Sequence, residues 1–459
     1  MSLPTLSRSV FATQAFLPEG WRENVRLECA SGVFTRVQPD AKPQPGDHRA
    51  DIVLPPLPSL HSHAFQRAMA GLTETRRDPA DSFWTWREQM YALAARIAPD
   101  GMRAIAAQLY MEMLKAGITQ VAEFHYLHRA PDGTAYDCPA EMARSVIDGA
   151  GEAGIGITML PTLYRHAGFG RVLAPEQKRF ESAPDFIAGM MADIAATYRD
   201  NGLVDVGVGL HSLRAANRED ILEMLALTPE RAPVHIHIAE QQREVADCLD
   251  FLGRRPVAWL LDEIPVDEHW CLVHATHLDA EETRRLAASG AVAGLCPVTE
   301  ANLGDGLFPL EDFIDYGGRF GIGTDSNVLP SANEELRLLE YGQRLALQKR
   351  CRALPGEAMG SVGRYLYDAS LKGGTQACGH GGGALAIGLR ADLCVVNEEA
   401  LSLPDLQGDT VLDSLIFARA TFPANDVLCG GEWVVRDGRH IHENRIAAAF
   451  LSAIRHLHS

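Results

Sequence analysis

The chain is short of lysine. Only five of its 42 basic residues are Lys: Lys42, Lys115, Lys178, Lys349 and Lys372. It is short of positive charge altogether, with 60 acidic residues and a formal net charge of -18. Such a surface repels phosphate backbones and anionic lipid, so neither nucleic acid nor a membrane surface is an expected partner. No run approaches the roughly 18 uninterrupted apolar residues of a membrane span. The opening MSLPTLSRSVFATQAFLPEGW has no basic region followed by an apolar stretch, so no export signal is expected. Nine cysteines are spread along the chain without a CxxC pair. This argues against a disulfide framework or a Cys-rich zinc site and for free thiols in a reducing cytoplasm. No GxGxxG follows the first apolar run, which weakens a dinucleotide site.

What is present is a 459-residue chain, 46% apolar, long enough for two or three domain-sized units. The first fifty or so residues read as β: SVFATQAF, ENVRLECAS and GVFTRVQPD, with turn residues between them. The same texture returns in RADLCVVNEE and NDVLCGGEWVVRDGRHI, with Gly430-Gly431 and Asp437-Gly438 as turns. NRIAAAFLSAIRHL then closes the chain as an amphipathic helix.

Between these ends, eight short apolar runs alternate with helical stretches. The runs are IVLPPLPSLHSH, ITQVAEFHY, IGITMLPTLY, VDVGVGLHS, PVHIHIAE, HWCLVHAT, AVAGLCP and RFGIGTDS. Strand–helix alternation implies a parallel sheet, and eight units are the arithmetic of a (β/α)8 barrel. An open doubly wound sheet has no reason to stop at eight. A barrel places its active site at the C-terminal ends of its strands. The runs indeed end in His61-Ser62-His63, Tyr126, His211, His235/His237/Glu240, His274 and Asp325.

His61 and His63 are two apart, which on a strand turns both imidazoles to one side. His235 and His237 share that relation. His61, His63, one strand-five histidine and Asp325 suit a catalytic zinc, which takes three or so protein ligands and leaves a place for water. His235 lies one layer deeper and reads as a hydrogen-bonded core residue. His277 reads as a residue approaching a helix, and His125 as pointing outward if Tyr126 points inward. GGTQACGHGGG (373–383) lacks the GK[ST] of a phosphate loop and reads as a flexible crossing. Glu281-Glu282 and Glu334-Glu335 read as solvated helix starts.

This pattern resembles the amidohydrolase superfamily, metal-dependent hydrolases on a distorted (β/α)8 barrel, over nearly the whole chain. The resemblance includes the re-entry GGALAIGLRADLCVV after the barrel. It implies a β-sandwich split between residues 1–54 and 385–459, with the barrel in residues 55–384. It implies metal ligands at His61, His63, His237 and Asp325, with Glu240, His274 and Asp325 catalytic. Two-metal members carry a carbamylated Lys on strand four; VDVGVGLHS has none, so one divalent ion, zinc foremost, is expected. HSHAFQRAMAGLTE, FWTWREQMY, AEFHYLH, GLHSLRA and HIHIAEQ together resemble the branch that hydrolyses a linear amidine carrying two carboxylates. Guanidinium grips carboxylate bidentately, so Arg87 and Arg214, in loops after strands one and four, are the expected anchors. Gln66, Tyr126 and His211 complete the expected substrate site, and Trp84 and Trp86 stand near it. A homodimer is implied as well. A purine or triazine deaminase of the same branch, or a scaffold protein without metal, would share much of this pattern.

Overall fold

The computed structural model describes residues 8–76 and 79–458. The first seven residues, part of the sandwich segment expected over 1–54, lie outside that range. Alternating apolar residues pair Arg8–Leu17 (β1), Gly20–Ala30 (β2) and Val33–Gln38 (β3) into an antiparallel meander. His48–Leu54 (β4) returns alongside β1 in parallel.

The eight apolar runs supply the barrel. Its strands are Leu57–Ser62 (β5), Ile118–His125 (β6), Gly156–Leu163 (β7), Val204–Val206 (β8), Val208–Leu210 (β9), Val234–Ile238 (β10), Trp270–His274 (β11), Val292–Leu295 (β12) and Arg319–Ile322 (β13). The parallel order is β5-β6-β7-β9-β10-β11-β12-β13, with β8 beside β7. The fourth run is thus broken at Gly207 into β8 and β9. Every residue of β6 and β7 is buried, as expected for strands covered on both faces. A bridge between Ser62 and Asp325 brings β5 back to the end of β13.

The chain ends return to the first sheet through Leu393–Val396 (β14), Asp426–Cys429 (β15), Glu432–Arg436 (β16) and Arg439–His440 (β17). β14 pairs with β4, so one eight-stranded ladder carries both ends of the chain. It curls over its own apolar cluster, because Phe34 of β3 bonds backbone-to-backbone with Gly388 and Leu389 just before β14. Among the described residues no helix is long and apolar enough to cross a membrane.

The glycine-rich stretch is not the flexible crossing that its composition suggests. Its first six residues finish the helix Val362–Cys378, which lies across the N-terminal end of the barrel. A Cβ on Gly373 would stand 1.9 Å from the Phe320 carbonyl oxygen, and one on Gly374 2.5 Å from the Pro58 ring. Glycine is needed for close packing rather than for motion. The helix is held there by His235, whose Nε2 lies 2.8 Å from the Ala377 carbonyl, and by the Gln376 amide on the Glu268 and Gly290 carbonyls.

Two of the acids expected in solvent are buried. Glu282 is 1% exposed and accepts from Arg255, while Glu335 is 0% exposed and accepts from Val298 N at 2.9 Å. Each anchors a neighbouring helix that the local sequence does not reveal.

Barrel and end sheet are joined by a buried ion pair from the re-entry segment. Arg390 donates to Asp392 at 2.6 and 2.9 Å and to Gln120 Oε1 at 2.8 Å. Asp392 also accepts from Thr119 Oγ1 and Gly430 N. Removing one member leaves an uncompensated buried charge, which costs roughly 3–5 kcal/mol. Arg390→Ala is therefore expected to lower the unfolding free energy by about that amount in urea titration.

Candidate active site

The barrel closes at the residues expected to hold a metal. Thr324 and Asp325 both donate their backbone N–H to the His61 carbonyl at 3.0 Å, and His63 N–H donates to the Asp325 carbonyl at 2.9 Å. A Cβ on Gly323 would meet the His61 backbone at 3.0 Å, so only glycine lets the strands come this close. Asn327, fully buried, ties the seam by donating to the His63 and Asp325 carbonyls at 3.0 and 2.9 Å. Ala239, His274, Ala275 and Asp325 all have φ between 45 and 68°, left-handed values that non-glycine residues rarely adopt. They cluster at the mouth of the barrel, and backbone strain of this kind concentrates at functional sites.

Period-two spacing brings His61 and His63 to one side of β5, and β10 adds His237. His61 Nε2 lies 3.2 Å from His63 Nε2 and 3.0 Å from His237 Nε2. Asp325 Oδ1 lies 3.4 Å from His61 and 3.3 Å from His63. His63 Nδ1 is held by the Phe124 carbonyl at 2.9 Å and His237 Nδ1 by the His211 carbonyl at 3.0 Å. Carbonyls only accept, so each Nδ1 carries the proton and each Nε2 turns a lone pair inward. Burial pushes His61 down to about 4 and His63 to about 3, and lowers His237 well below the usual imidazole range. Neutral rings are what a metal requires. Burial alone would raise Asp325, but its contact with His61 and the charges of His61, His274 and His63 hold it well below the usual range. Converging lone pairs beside a carboxylate, nitrogen and oxygen donors in a closed cup, fit a divalent cation of the zinc type.

Glu240 and His274 stand at the rim of this cup. His274 Nε2 is 3.8 Å from Glu240 Oε1 and 3.7 Å from Asp325 Oδ2. Its Nδ1 faces Glu300 Oε1 at 3.3 Å. Burial works against a charged His274 ring, yet Glu240, Glu300 and Asp325 outweigh it and raise the pKa well above the usual value. Burial raises Glu240 to about 7, with Asp325 and Glu244 adding to the shift against the pull of His274 and Arg214. A carboxyl there can take and give a proton near neutrality.

A cavity opens above these groups. The sequence-derived residues Gln66, Arg87, Tyr126, His211 and Arg214 all line it. Gln66 Nε2 reaches Tyr126 Oη at 3.2 Å. Burial and the charge of Arg214 hold the His211 ring well below the usual imidazole range. Arg214 sits in the turn after β9. Arg87 departs from expectation, because it lies on the helix Phe83–Ala94 rather than in a loop. Ser82 caps that helix, and Phe83, Trp86, Met90 and Tyr91 of it line the cavity with Arg87. Trp84 sits among three guanidiniums, those of Arg87, Arg243 and Arg214, at 4.6, 4.7 and 5.8 Å from its ring centre. Trp86 lines the cavity itself. The Nε atoms of Arg87 and Arg214 are buried with no hydrogen-bond partner among the described residues.

Two further histidines weighed from the sequence, His277 and His125, are not among the four residues of the cup. His277 Nε2 lies 2.8 Å from the Asp305 carbonyl, away from the cup, and His125 packs on the outer side of β6 beside His128. Four residues at the site escape a sequence reading. Glu300 lies one helical turn past β12 in PVTEANL, and Asn327 follows the GTD of β13. Tyr91 and Tyr164 line the cavity, bridged by the Gln177 amide at 3.3 and 2.8 Å. Tyr164 closes the third apolar run, and that strand-end position is its signal.

Comparison with known proteins gives these features a family. The model of the amidohydrolase family matches residues 52–434, and that of the formimidoylglutamate deiminase HutF N-terminal domain matches residues 7–51. The chain is 51% identical over 451 residues to a formimidoylglutamate deiminase of Pseudomonas aeruginosa, covering 98% of this chain and 99% of that one. A crystal structure of an amidohydrolase from Brucella melitensis matches with TM-score 0.94 and 44% identity, over 98% of this chain and 100% of the other. An adenosine deaminase from Xanthomonas campestris with bound zinc shares the fold at TM-score 0.80 and 21% identity, over 98% and 97% of the two chains. A family match across most of the chain and a half-identical full-length relative leave one conclusion: this chain belongs to the amidohydrolase family.

Proposed function

We propose that the chain hydrolyses N-formimino-L-glutamate to N-formyl-L-glutamate and ammonia. The observation that carries the reading is the pair of unpartnered, buried guanidinium Nε atoms of Arg87 and Arg214 in the cavity over the His61, His63, His237 and Asp325 cup. Buried donors without acceptors are costly, and a substrate carboxylate is the acceptor that matches them. The half-identical relative is named for this same substrate.

His61, His63, His237 and Asp325 would hold one divalent ion, and zinc suits their donor set. When bound, such an ion supplies a nucleophile at neutral pH by lowering the pKa of water from 15.7 to about 7. His274, steadied through Nδ1 by Glu300, presents Nε2 to the attacking water. Glu240 accepts a proton from that water as its oxygen bonds to the formimino carbon. That proton passes to the terminal nitrogen, the proton of the new hydroxyl follows it through Glu240, and as the carbon–nitrogen bond breaks the oxygen becomes the formyl carbonyl and ammonia leaves. Arg87 and Arg214, helped by Gln66, Tyr126 and His211, hold the glutamate end still while this happens.

The test is ammonia release from a panel of formimino compounds, adenosine and guanine, with bound metal measured on the same samples. Release from formimino-L-glutamate alone supports the reading, and release only from the purines overturns it. Arg214→Ala is expected to keep its ion and lose at least about tenfold in kcat/KM, since a charged hydrogen bond contributes roughly 1.5–3 kcal/mol. An unchanged value would remove Arg214 from the carboxylate site. The nine cysteines are all unpaired, which supports a cytoplasmic setting. We take the working unit to be a homodimer, which light scattering in solution tests.

A further inference from the structure

Asp325 turns its two carboxylate oxygens to two different sides. Oδ1 lies 3.4 and 3.3 Å from the Nε2 atoms of His61 and His63, inside the cup. Oδ2 faces His274 Nε2 at 3.7 Å. Next to His274, directly after β12, stands Cys296, 0% exposed. One donor atom each from His274, Cys296 and Asp325 lies within 4.8 Å of the others, and all three residues are buried.

The backbone holds the cysteine in place. Its N–H donates to Glu300 Oε1 and its carbonyl accepts from Glu300 N, both at 2.9 Å. The same Glu300 oxygen faces His274 Nδ1 at 3.3 Å. One carboxylate therefore sets both the ring and the loop that carries the thiol. Thiolate, imidazole and carboxylate are all zinc ligands, with bonds of roughly 2.0–2.3 Å, so donors around one ion sit about 3.3–3.8 Å apart. The cluster needs to draw in by no more than about an ångström. Glu240 and Glu300 beside it add negative charge that favours a cation.

We propose that His274, Cys296 and Asp325 form a second cation site, for a thiophilic divalent ion, bridged to the first through the Asp325 carboxylate. Binding exchanges the Cys296 thiol proton and the proton on His274 Nε2, both of which leave to solvent, for a sulfur–metal and a nitrogen–metal bond, and no electron is transferred. Occupancy withdraws His274 Nε2 and Asp325 Oδ2 from the water-facing side of the site, so excess metal stops turnover. The binding stands on geometry alone; the inhibition rests on the role given to His274 above.

The probe is cobalt(II), added to protein that already holds one zinc per chain. The expected result is a second bound equivalent, a near-ultraviolet thiolate-to-cobalt band that nitrogen and oxygen ligands cannot produce, and ammonia release falling at least about tenfold as the band grows. Cys296→Ser and Cys296→Ala, two variants in case one folds poorly, are both expected to lose the band and the second equivalent. They are also expected to keep releasing ammonia in excess cobalt. Absence of a second equivalent, or a band that survives in both variants, overturns the site. A full band and stoichiometry with undiminished ammonia release overturns the inhibition, and with it the role of His274, while leaving the site standing.

Discussion

Glu240→Gln keeps its bound ion and loses roughly 10²–10⁴-fold in kcat, the share of rate that a positioned acid–base group contributes. Glutamine has the size and nearly the shape of glutamate, so the packing around this 6%-exposed side chain survives. It cannot accept a proton from water, and it cannot pass one to a departing nitrogen. Glu240 stands outside the His61, His63, His237 and Asp325 group, so nothing is subtracted from the donor set. Steady-state ammonia release, with metal content measured on the same preparation, checks both halves. Near wild-type turnover would end the proton-shuttle role. Loss of the ion would show instead that Glu240 helps to build the cup.

His61→Ala goes further and abolishes both ion and turnover. His61 is the hub of the donor set, with its Nε2 within 3.0–3.4 Å of His237, His63 and Asp325. Its loss removes the donor that stands between the other three and leaves the set one ligand short. An ion present at a thousand times its dissociation constant stabilises the fold by about 4.1 kcal/mol, so the variant also melts lower. Wild-type protein stripped by a chelator is expected to lose ammonia release and to regain it with zinc, whereas the variant regains nothing. Metal analysis after dialysis and a thermal scan in the presence of zinc make the comparison. A variant that retains ion and turnover would show that the histidine cluster is only structural.

The sequence exposes its ligands because strands alternate sides with a strict period of two. His61 and His63 therefore share a side wherever β5 goes, and so do His235 and His237. The layer is legible too, because His235 stands two residues earlier on the strand: it ends on the Ala377 carbonyl at the other end of the barrel while His237 reaches the cup. Glu300 and Asn327 were not legible. Both lie just past their strands and act by reaching sideways, Glu300 to His274 and Asn327 across the seam to β5. Arg87 was legible as a candidate anchor but not as a helix residue, because FWTWREQMY carries a weak apolar face and its helix is set by the Ser82 cap. The run GGTQACGHGGG misleads because glycine signals freedom in isolation and close approach in a packed interior. Glu282 and Glu335 mislead likewise, since acids at helix starts are usually solvated and these two hold neighbouring helices instead.

By itself the sequence settled the eight-run barrel, the residue types at its strand ends and the want of a strand-four lysine. These are local properties, written in side-chain periodicity and in which residues can ionise or ligate. Tertiary structure alone decided that Ser62 and Asp325 would meet and close the ring, that the Nε2 atoms of His63 and His237 would come to 3.2 and 3.0 Å from that of His61, and that Arg87 would return over the mouth. The Ser62–Asp325 and His61–His237 contacts join residues far apart in the chain, and only packing in three dimensions can set them.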